Sequence, residues 1–352
     1  MIRPRLELKG LFRTPVRQFE RYGCLRLDKN ENTEGFSRKT IEKMLSGISS
    51  HFLAAYPEPG RLYEKIAAWH GVSVDRVLIT AGSEMAIRYL FESYLDRGDE
   101  VIFLNPSFAM FDVYAALCGA RRIKIDCGRT LCFNPDSIIS ALSRRTKIVA
   151  IANPNNPTGS VIPENDLFRI ADSACRGDAL VLVDEAYYHF YGKTMLTHLR
   201  RFPNLVITRT FSKACGLAGA RLGYALAHPG VISELRKLQP IDHASAFALK
   251  LGEYLVDHES LIWDYVTEVE EGKTFIRRKC ERLGLDVPES HGNFLLIDAG
   301  KRRAHVLEEF RKRRILVSGE INLPFPNHYI RLTVGPVHQM RHPVAALTAA
   351  FE

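Results

Sequence analysis

Short runs of consecutive apolar residues alternate with helix-length intervals through the first two thirds of the chain. These strand-like segments are VLIT (77–80), EVIFLNPSF (100–108), RRIKID (121–126), KIVAIANPNNPTG (147–159), ALVLVDEAYYHF (179–190) and NLVITRTFSK (204–213). Between the first two, MAIRYLFESYL (85–95) has apolar residues about every 3.6 positions, which predicts a helix. Continuous Val, Ile and Leu runs separated by helices are typical of a mostly parallel sheet covered on both faces. The pattern predicts an α/β fold.

The pattern changes at about residue 245. Long amphipathic segments (247–256 and 261–283) lead into short strands (293–298, 315–318 and 329–334) around a helix at 305–313. This order predicts a smaller α+β domain. We predict an N-terminal segment (1–45) that packs with the small domain or a dimer partner, a large domain (46–245) and a small C-terminal domain (246–352).

Composition removes several classes of function. The 352 residues carry a formal charge of +8, but the basic residues are scattered without interleaved aromatics, so no nucleic-acid partner is expected. The N-terminus lacks an apolar core and no run approaches the roughly 18 apolar residues of a membrane span. Seven cysteines without a CxxC pair, and no HExxH, suggest neither a disulfide framework nor a metal site. We expect a cytoplasmic protein.

The stretch TRTFSKACGLAGARLGY (208–224) carries the strongest chemical signal. Lys213 lies among hydroxyls and small residues, which is an unusual position for a surface lysine. One interpretation is a Schiff-base lysine whose neighbours Thr210, Ser212 and Arg221 hold the phosphate of pyridoxal phosphate. The alternative is a turn and a helix that happen to carry Lys and Arg.

The turn AGSE (81–84) also predicts an anion site. This turn joins a buried strand to a helix, so it presents the free backbone N–H groups of Gly82, Ser83 and Glu84. Most turns of this kind bind nothing, so the motif has weight only in combination with others.

Polar and aromatic residues follow the carboxyl ends of several strands, where ligands gather in such sheets. Asp184 is suited to keep the pyridine nitrogen of pyridoxal phosphate protonated, and Lys213 to move the substrate's proton. Asn156 and Tyr187 would bind the ring's 3-oxygen, and Phe108 would stack on the ring. Singly, each has a structural explanation: a helix cap or loop carboxylate for Asp184, a turn for Asn156 and core packing for Phe108.

Together the motifs resemble those of one enzyme family, the fold-type I aminotransferases of the histidinol-phosphate aminotransferase type. In family order they are LDKNEN (27–32), YPE (56–58), AGSE (81–84), NPSF (105–108), NPNNPTG (153–159), VDEAY (183–187), SKACGLAGARLGY (212–224) and IRLTVG (330–335). The resemblance implies a large domain with a seven-stranded, mostly parallel sheet and pyridoxal 5'-phosphate as cofactor.

The resemblance also implies partners and substrate contacts. It implies a homodimer with shared active sites, in which Tyr56 reaches the cofactor phosphate of the neighbouring subunit. Arg331 would bind the substrate carboxylate, a use that suits the planar guanidinium. Asn30 and Tyr56 would complete the substrate contacts.

Three positions depart from the family pattern. Members that act on histidinol phosphate usually carry a second arginine where this chain has Ser318, and an N-terminal aromatic where it has Val16. Phe108 replaces the family's stacking tyrosine and removes a hydroxyl. These changes indicate that the acceptor pocket has been retuned.

Several functions fit these residues. The first is transfer of an amino group from an amino acid, such as glutamate, to a small keto or aldehyde acceptor that can be phosphorylated. Its alternatives are histidinol-phosphate aminotransferase proper and a decarboxylase of a phosphorylated amino acid on the same scaffold. A third class of function is a non-enzymatic module that binds an acidic partner. The presence of a complete set of cofactor residues argues against it: Lys213, Asp184, Tyr187 and Arg221.

Overall fold

The computed structural model describes residues 5–8, 11 and 21–352. Its strands in chain order are β1 (Leu25–Leu27), β2 (Val77–Thr80), β3 (Glu100–Asn105), β4 (Arg121–Asp126), β5 (Thr146–Ala152), β6 (Leu180–Asp184), β7 (Leu205–Thr210), β8 (Gly223–Ala227), β9 (Phe294–Asp298), β10 (Ile315–Val317) and β11 (Tyr329–Thr333). Seven of them form a central sheet in the order β2-β8-β7-β6-β5-β3-β4. Only β8 runs antiparallel to its neighbours. The predicted α/β fold with a mostly parallel seven-stranded sheet is confirmed.

The described residues form helices on both faces of this sheet and in the second region described below. They are α1 (Arg38–Met44), α2 (Ser50–Ala54), α3 (Gly60–His70), α4 (Ser83–Tyr94), α5 (Ala109–Leu117), α6 (Pro135–Ser140), α7 (Glu164–Arg176), α8 (Tyr188–Tyr191), α9 (Pro229–Arg236), α10 (Ala246–Asp257), α11 (Ser260–Arg282), α12 (Arg303–Lys312) and α13 (Val337–Phe351).

Alternate residues of each central strand enter different hydrophobic cores. On β5, Ile148 and Ala150 pack with α4, α5 and α9, while Val149 and Ile151 pack on the opposite side with α3 and α7. A strand with both faces covered needs apolar residues at every position, which explains the continuous runs. At the sheet edge β4 is mostly exposed and carries charges, as edge strands commonly do.

A second region is built from two short sheets and three helices. β9 pairs antiparallel with β11, and β1 from the N-terminal segment pairs parallel with β10. An isolated bridge between Ser318 and Arg331 connects them. α12 and α13 pack beside them, and α11 runs along α13. The segment after β1 thereby reaches the carboxyl edge of the central sheet, where Lys29 and Asn30 contact Lys213 and Tyr187.

The strands end earlier than the apolar runs predicted. The runs 100–108, 147–159, 179–190 and 204–213 include loops that leave the sheet after Asn105, Ala152, Asp184 and Thr210. β8 was not predicted from the sequence, although it lies between β2 and β7 in the sheet. The boundaries of the three predicted domains stay a prediction. Among the described residues, no helix has the length and apolar character needed to cross a membrane.

Candidate active site

A cavity lies at the carboxyl ends of β5, β6 and β7, beside the first turn of α4. Its lining residues are Ser83, Glu84, Phe108, Ala152, Asn156, Asp184, Ala186, Tyr187, Thr210, Ser212, Lys213 and Arg221. All of them except Ala152 and Ala186 were selected from the sequence as cofactor-binding residues. The topology therefore brings together side chains that are more than a hundred positions apart in the chain.

Asp184 is the last residue of β6 and is 6% exposed. Burial raises its pKa to about 6. A hydrogen bond from Thr208, the charge of Lys213 and the backbone N–H of Ala186 act in the opposite direction, since each favours the ionised form. Glu185 opposes them. The result is a buried carboxylate held ready to pair with a cation.

Lys213 lies in the loop that follows β7, and it is half-buried. Its ammonium donates a hydrogen bond of 2.8 Å to the carbonyl oxygen of Lys29 and lies 5.6 Å from the centre of the Tyr187 ring. Lys29 belongs to the N-terminal segment. Its predicted role as the nucleophile of the cavity stays a prediction.

Backbone and side-chain donors gather at one end of the cavity, where an anion site was predicted. Ser83 and Glu84 open α4, so their N–H groups have no partner within the helix. Arg221 extends over this turn and donates to the Ser212 hydroxyl at 3.3 Å. Gly82 has φ +82°, and a Cβ there would lie 2.8 Å from an Nη of Arg221. A glycine is needed here because side chains with a Cβ rarely adopt this positive φ, and a Cβ would also displace the guanidinium.

Thr210 contributes a hydroxyl to the same end. Its oxygen accepts a 3.1 Å hydrogen bond from the backbone N–H of Ser212, which leaves its own hydrogen available to a ligand. With Arg221 and the helix N-terminus, it forms a group of donors suited to a phosphate.

Asn30 lies behind Tyr187. Its Nδ2 donates to the Tyr187 hydroxyl at 2.9 Å, its Oδ1 accepts from Thr333 at 3.1 Å and it is 1% exposed. It adopts a left-handed backbone with φ 56°. Because both ends of its amide are engaged, Asn30 acts on the cavity through Tyr187. Its predicted substrate contact stays a prediction.

Arg331 approaches from β11 and joins Asn156 to the N-terminal segment. One Nη donates to Asn156 Oδ1 and the other donates to the carbonyl oxygen of Asp28 at 2.7 Å. Its Nε is buried and has no hydrogen-bond partner within the part of the chain that the structure describes. The guanidinium lies 5.7 Å from the centre of the Phe294 ring. Ser318 pairs with Arg331 through two backbone hydrogen bonds, so a side chain at position 318 begins next to this arginine.

Of the two predicted aromatic contacts with the cofactor, Phe108 lies at the cavity and Tyr56 does not. Phe108 precedes α5 and lines the cavity, with its ring packed edge-on against Phe111 at 5.8 Å. Tyr56 is 82% exposed and is not among the residues that line the cavity. Val16 lies outside the described residues.

Sequence reasoning missed two contributors. The Thr208 hydroxyl donates to Asp184 Oδ1 at 2.9 Å, and the carbonyl of Lys29 accepts from Lys213. In the sequence, Thr208 could not be distinguished from an ordinary strand threonine. Its position beside Asp184 becomes evident only from the pairing of β6 with β7. No sequence signal marks a backbone carbonyl.

A parallel sheet with a lysine, a buried aspartate and an anion site at its carboxyl edge defines a fold-type I enzyme of the pyridoxal phosphate class. The chain belongs to the family "Aminotransferase class I and II", whose model matches residues 22–347. It is a pyridoxal-phosphate-dependent aminotransferase, so the predicted family, enzyme class and cofactor are confirmed.

Named relatives extend over nearly the whole chain. The histidinol-phosphate aminotransferase of Symbiobacterium thermophilum is 34% identical over 96% of this chain and 94% of its own length. That of Caldanaerobacter subterraneus subsp. tengcongensis is 30% identical over 93% and 95%. The structure of histidinol-phosphate aminotransferase from Sinorhizobium meliloti in complex with pyridoxal-5'-phosphate has a TM-score of 0.89 at 22% identity, covering 100% of this chain and 98% of that one. This last likeness establishes the fold.

The cavity fits pyridoxal phosphate chemically. Asp184 provides a buried carboxylate for the ring nitrogen, and Lys213 provides an amine for the aldehyde. The space above Gly82 is held open for a guanidinium that faces the anion site. The donors at that end are all hydroxyl, amide or guanidinium groups, which suit a phosphate.

Proposed function

We propose that this enzyme moves the amino group between glutamate and a phosphorylated amino alcohol of the histidinol phosphate type. The observation that carries the proposal is the meeting of Lys213, Asp184 and Arg221 at one cavity, where Arg331 donates a hydrogen bond to Asn156 of the cavity lining. The relatives named for histidinol phosphate support this substrate class.

When bound, pyridoxal phosphate supplies a conjugated ring that accepts the electron pair left when the substrate's Cα loses its proton. Lys213 takes that proton and returns it, since its amine is the mobile base of the cavity. Asp184 holds a proton on the ring nitrogen, because an adjacent carboxylate favours the cationic form. Asn156 and the Tyr187 hydroxyl hold the ring's 3-oxygen.

Arg221, Ser212 and Thr210 would hold the phosphate of the cofactor at the start of α4, together with the N–H groups of Ser83 and Glu84. Phe108 would stack on the ring. These contacts fix the cofactor at both ends, so that the reacting carbon stays within reach of Lys213.

Arg331 binds the anionic group of the substrate. Among the described residues its Nε has no hydrogen-bond partner, and the Asn156 amide and the Asp28 carbonyl hold the rest of the guanidinium. With serine at position 318, no second guanidinium stands beside it on the neighbouring strand. A single arginine gives one strong anion contact, so substrate choice depends more on shape and on other groups of the pocket.

We also propose a homodimer. Exposed apolar side chains cluster where α2 and α10 meet through the edge-on contact of Phe52 with Phe247 at 5.4 Å. Near it lie Leu53 at 63% and Tyr56 at 82% exposed, and an apolar surface of this kind favours burial against a second subunit. In the dimer, Tyr56 of one subunit reaches the cofactor phosphate of the other. A cytoplasmic location accords with seven cysteines that include no CxxC pair.

Purified enzyme incubated with histidinol phosphate and 2-oxoglutarate tests the substrate proposal. Glutamate should form, and Lys213→Ala should abolish its formation. Arg331→Lys should raise the KM for glutamate in the reverse direction by about ten-fold or more, because a lysine cannot reproduce the guanidinium fork. Arg303→Lys, which changes an arginine bonded to the Asn327 carbonyl, is the control and should leave KM unchanged.

Two results would contradict the proposal. Carbon dioxide release from a phosphorylated amino acid without glutamate formation would make the enzyme a decarboxylase. Glutamate formation from other amino donors, but not from histidinol phosphate, would support transamination and contradict the proposed substrate class.

A further inference from the structure

A threonine hydroxyl touches the carboxylate of Asp184 from the neighbouring strand. In the parallel pairing of β6 with β7, Asp184 is the partner of Thr208, and the Thr208 hydroxyl donates to Asp184 Oδ1 at 2.9 Å. Thr208 is fully buried. Thr210, two positions further on and therefore on the same face of β7, lines the cavity. One strand thus presents two hydroxyls, one toward the aspartate and one toward the anion site.

A donor in this place has a chemical consequence for Asp184. Burial favours the neutral carboxyl, and Glu185 acts in the same direction. The charge of Lys213, the N–H of Ala186 and the Thr208 hydroxyl favour the carboxylate. A hydrogen bond to one oxygen also fixes the plane of the carboxylate, which determines where the other oxygen points.

We propose that Thr208 is a positioning residue for the cofactor: its hydroxyl holds Oδ1 of Asp184 so that the other oxygen meets the ring nitrogen of pyridoxal phosphate. The inference rests on the proposed role of Asp184. A valine at this position would keep the shape of the side chain and remove the donor, and a serine would keep the donor and remove the methyl group.

These two substitutions distinguish a positioning role of the hydroxyl from a packing role of the methyl group. Thr208→Val should weaken cofactor binding if the hydroxyl matters, and Thr208→Ser should weaken it if the methyl group matters. We would titrate cofactor-free wild type, Thr208→Val and Thr208→Ser with pyridoxal phosphate and follow the absorbance of the bound cofactor. Thr208→Val should bind about ten-fold more weakly or worse, because a hydrogen bond to a charged group is lost. Thr208→Ser should bind within about three-fold of wild type.

The pH dependence gives a second measurement. Without the hydroxyl, Asp184 takes up a proton at higher pH, while Lys213, Glu185 and the Ala186 N–H act on it as before. The weakening in Thr208→Val should therefore grow as the pH falls from 8 to 6. Thr146→Val is the control: Thr146 is a buried threonine at the opposite end of β5, bonded to the Ser143 N–H, and its loss should not change cofactor affinity.

Equal affinity of Thr208→Val and wild type would overturn the inference and leave the proposed function intact. Weaker binding by Thr208→Ser than by Thr208→Val would also overturn it, because packing of the methyl group would then be the cause. If the wild type failed to bind pyridoxal phosphate, the proposed function would fall together with the inference.

Discussion

Asp184 is a carboxylate in surroundings where a charge is costly. Its folded-state pKa of about 6 lies above the ordinary value of 3.8, so between these pH values the folded protein binds more protons than the unfolded chain. Stability associated with Asp184 therefore falls as the pH rises through this window, and the cost is complete above pH 6. The cofactor-free protein thus loses stability when Asp184 is ionised, at a position where the proposed chemistry needs a carboxylate.

Asp184→Asn should remove that cost. In the cofactor-free protein, the variant should be more stable than wild type at pH 7.5, by about 3 kcal/mol at most, since each pH unit between the two pKa values corresponds to roughly 1.4 kcal/mol. The difference should shrink toward pH 4.5, where wild type is largely protonated. Urea unfolding at both pH values measures it. A variant less stable than wild type by the same amount at both pH values would contradict the account.

At this scale, the sequence identified side chains by their type and motif. Lys213, Asp184 and Arg221 stand in stretches whose composition is chemically distinctive. Thr208 could not be assigned in the same way, because its role depends on the pairing of β6 with β7, and the hydrogen bond from Asn30 to Tyr187 was not predicted because it depends on a left-handed backbone in a distant segment. Motifs identify the groups that react, and the fold is needed to find the groups that hold them.

The junction of β2, β8 and α4 places the anion site. Gly223 opens β8 and pairs with both Thr80 and Thr210. A Cβ at Gly223 would lie 2.3 Å from the backbone N of Ser83 and 2.6 Å from the carbonyl carbon of Gly82. Backbone atoms cannot yield as a flexible side chain does, so the absence of a side chain here lets the first turn of α4 rest on the sheet.

Gly223→Ala should displace the first turn of α4. We expect a loss of about 1–3 kcal/mol of stability, as for overpacked sites, and cofactor affinity weakened by about ten-fold or more. Gly219→Ala is a matched control nearby, because a Cβ there meets nothing within 4 Å. Thermal unfolding and cofactor titration test both variants. If Gly223→Ala bound the cofactor as tightly as the control, the close contact would not support the site.

The strands at this junction illustrate which secondary-structure elements could be predicted from the sequence. The parallel strands were predicted because apolar residues occupy every position. β8 reads GYALA, which is short, follows a glycine-rich loop and contains two alanines. Its identity as a strand depends on two neighbours that pair with it from either side. Strand ends were placed too late because apolar residues and prolines continue into the loops that carry the site.

At the scale of the molecule, several of the exposed apolar side chains among the described residues belong to one surface. Ile241 is 94% exposed and Phe247 41%, close in sequence to each other, and the Phe52 contact joins this surface to the segment that carries Tyr56. The sequence predicted a dimer through family resemblance alone. Composition could not have identified this surface, since 46% apolar content is ordinary for a globular protein.

Ile241→Asp should weaken the dimer. A charge in an apolar interface must be desolvated without a partner, so the dissociation constant should rise by at least about a hundred-fold. Sedimentation velocity over a range of concentrations measures it. Val74→Asp, at another exposed apolar residue, is the control and should leave the assembly unchanged. A wild type that is monomeric at all concentrations, or an Ile241→Asp variant that remains as dimeric as wild type, would contradict the proposed assembly.

The central claim is that Lys213 and its cavity move an amino group by means of pyridoxal phosphate. The most direct test is the absorbance spectrum of the reconstituted enzyme, wild type and Lys213→Ala, before and after glutamate is added without any acceptor. We predict that glutamate converts the visible band of bound cofactor in wild type to that of its amine form, with release of 2-oxoglutarate, and that Lys213→Ala does not perform this conversion. A wild-type spectrum that glutamate leaves unchanged would contradict the account.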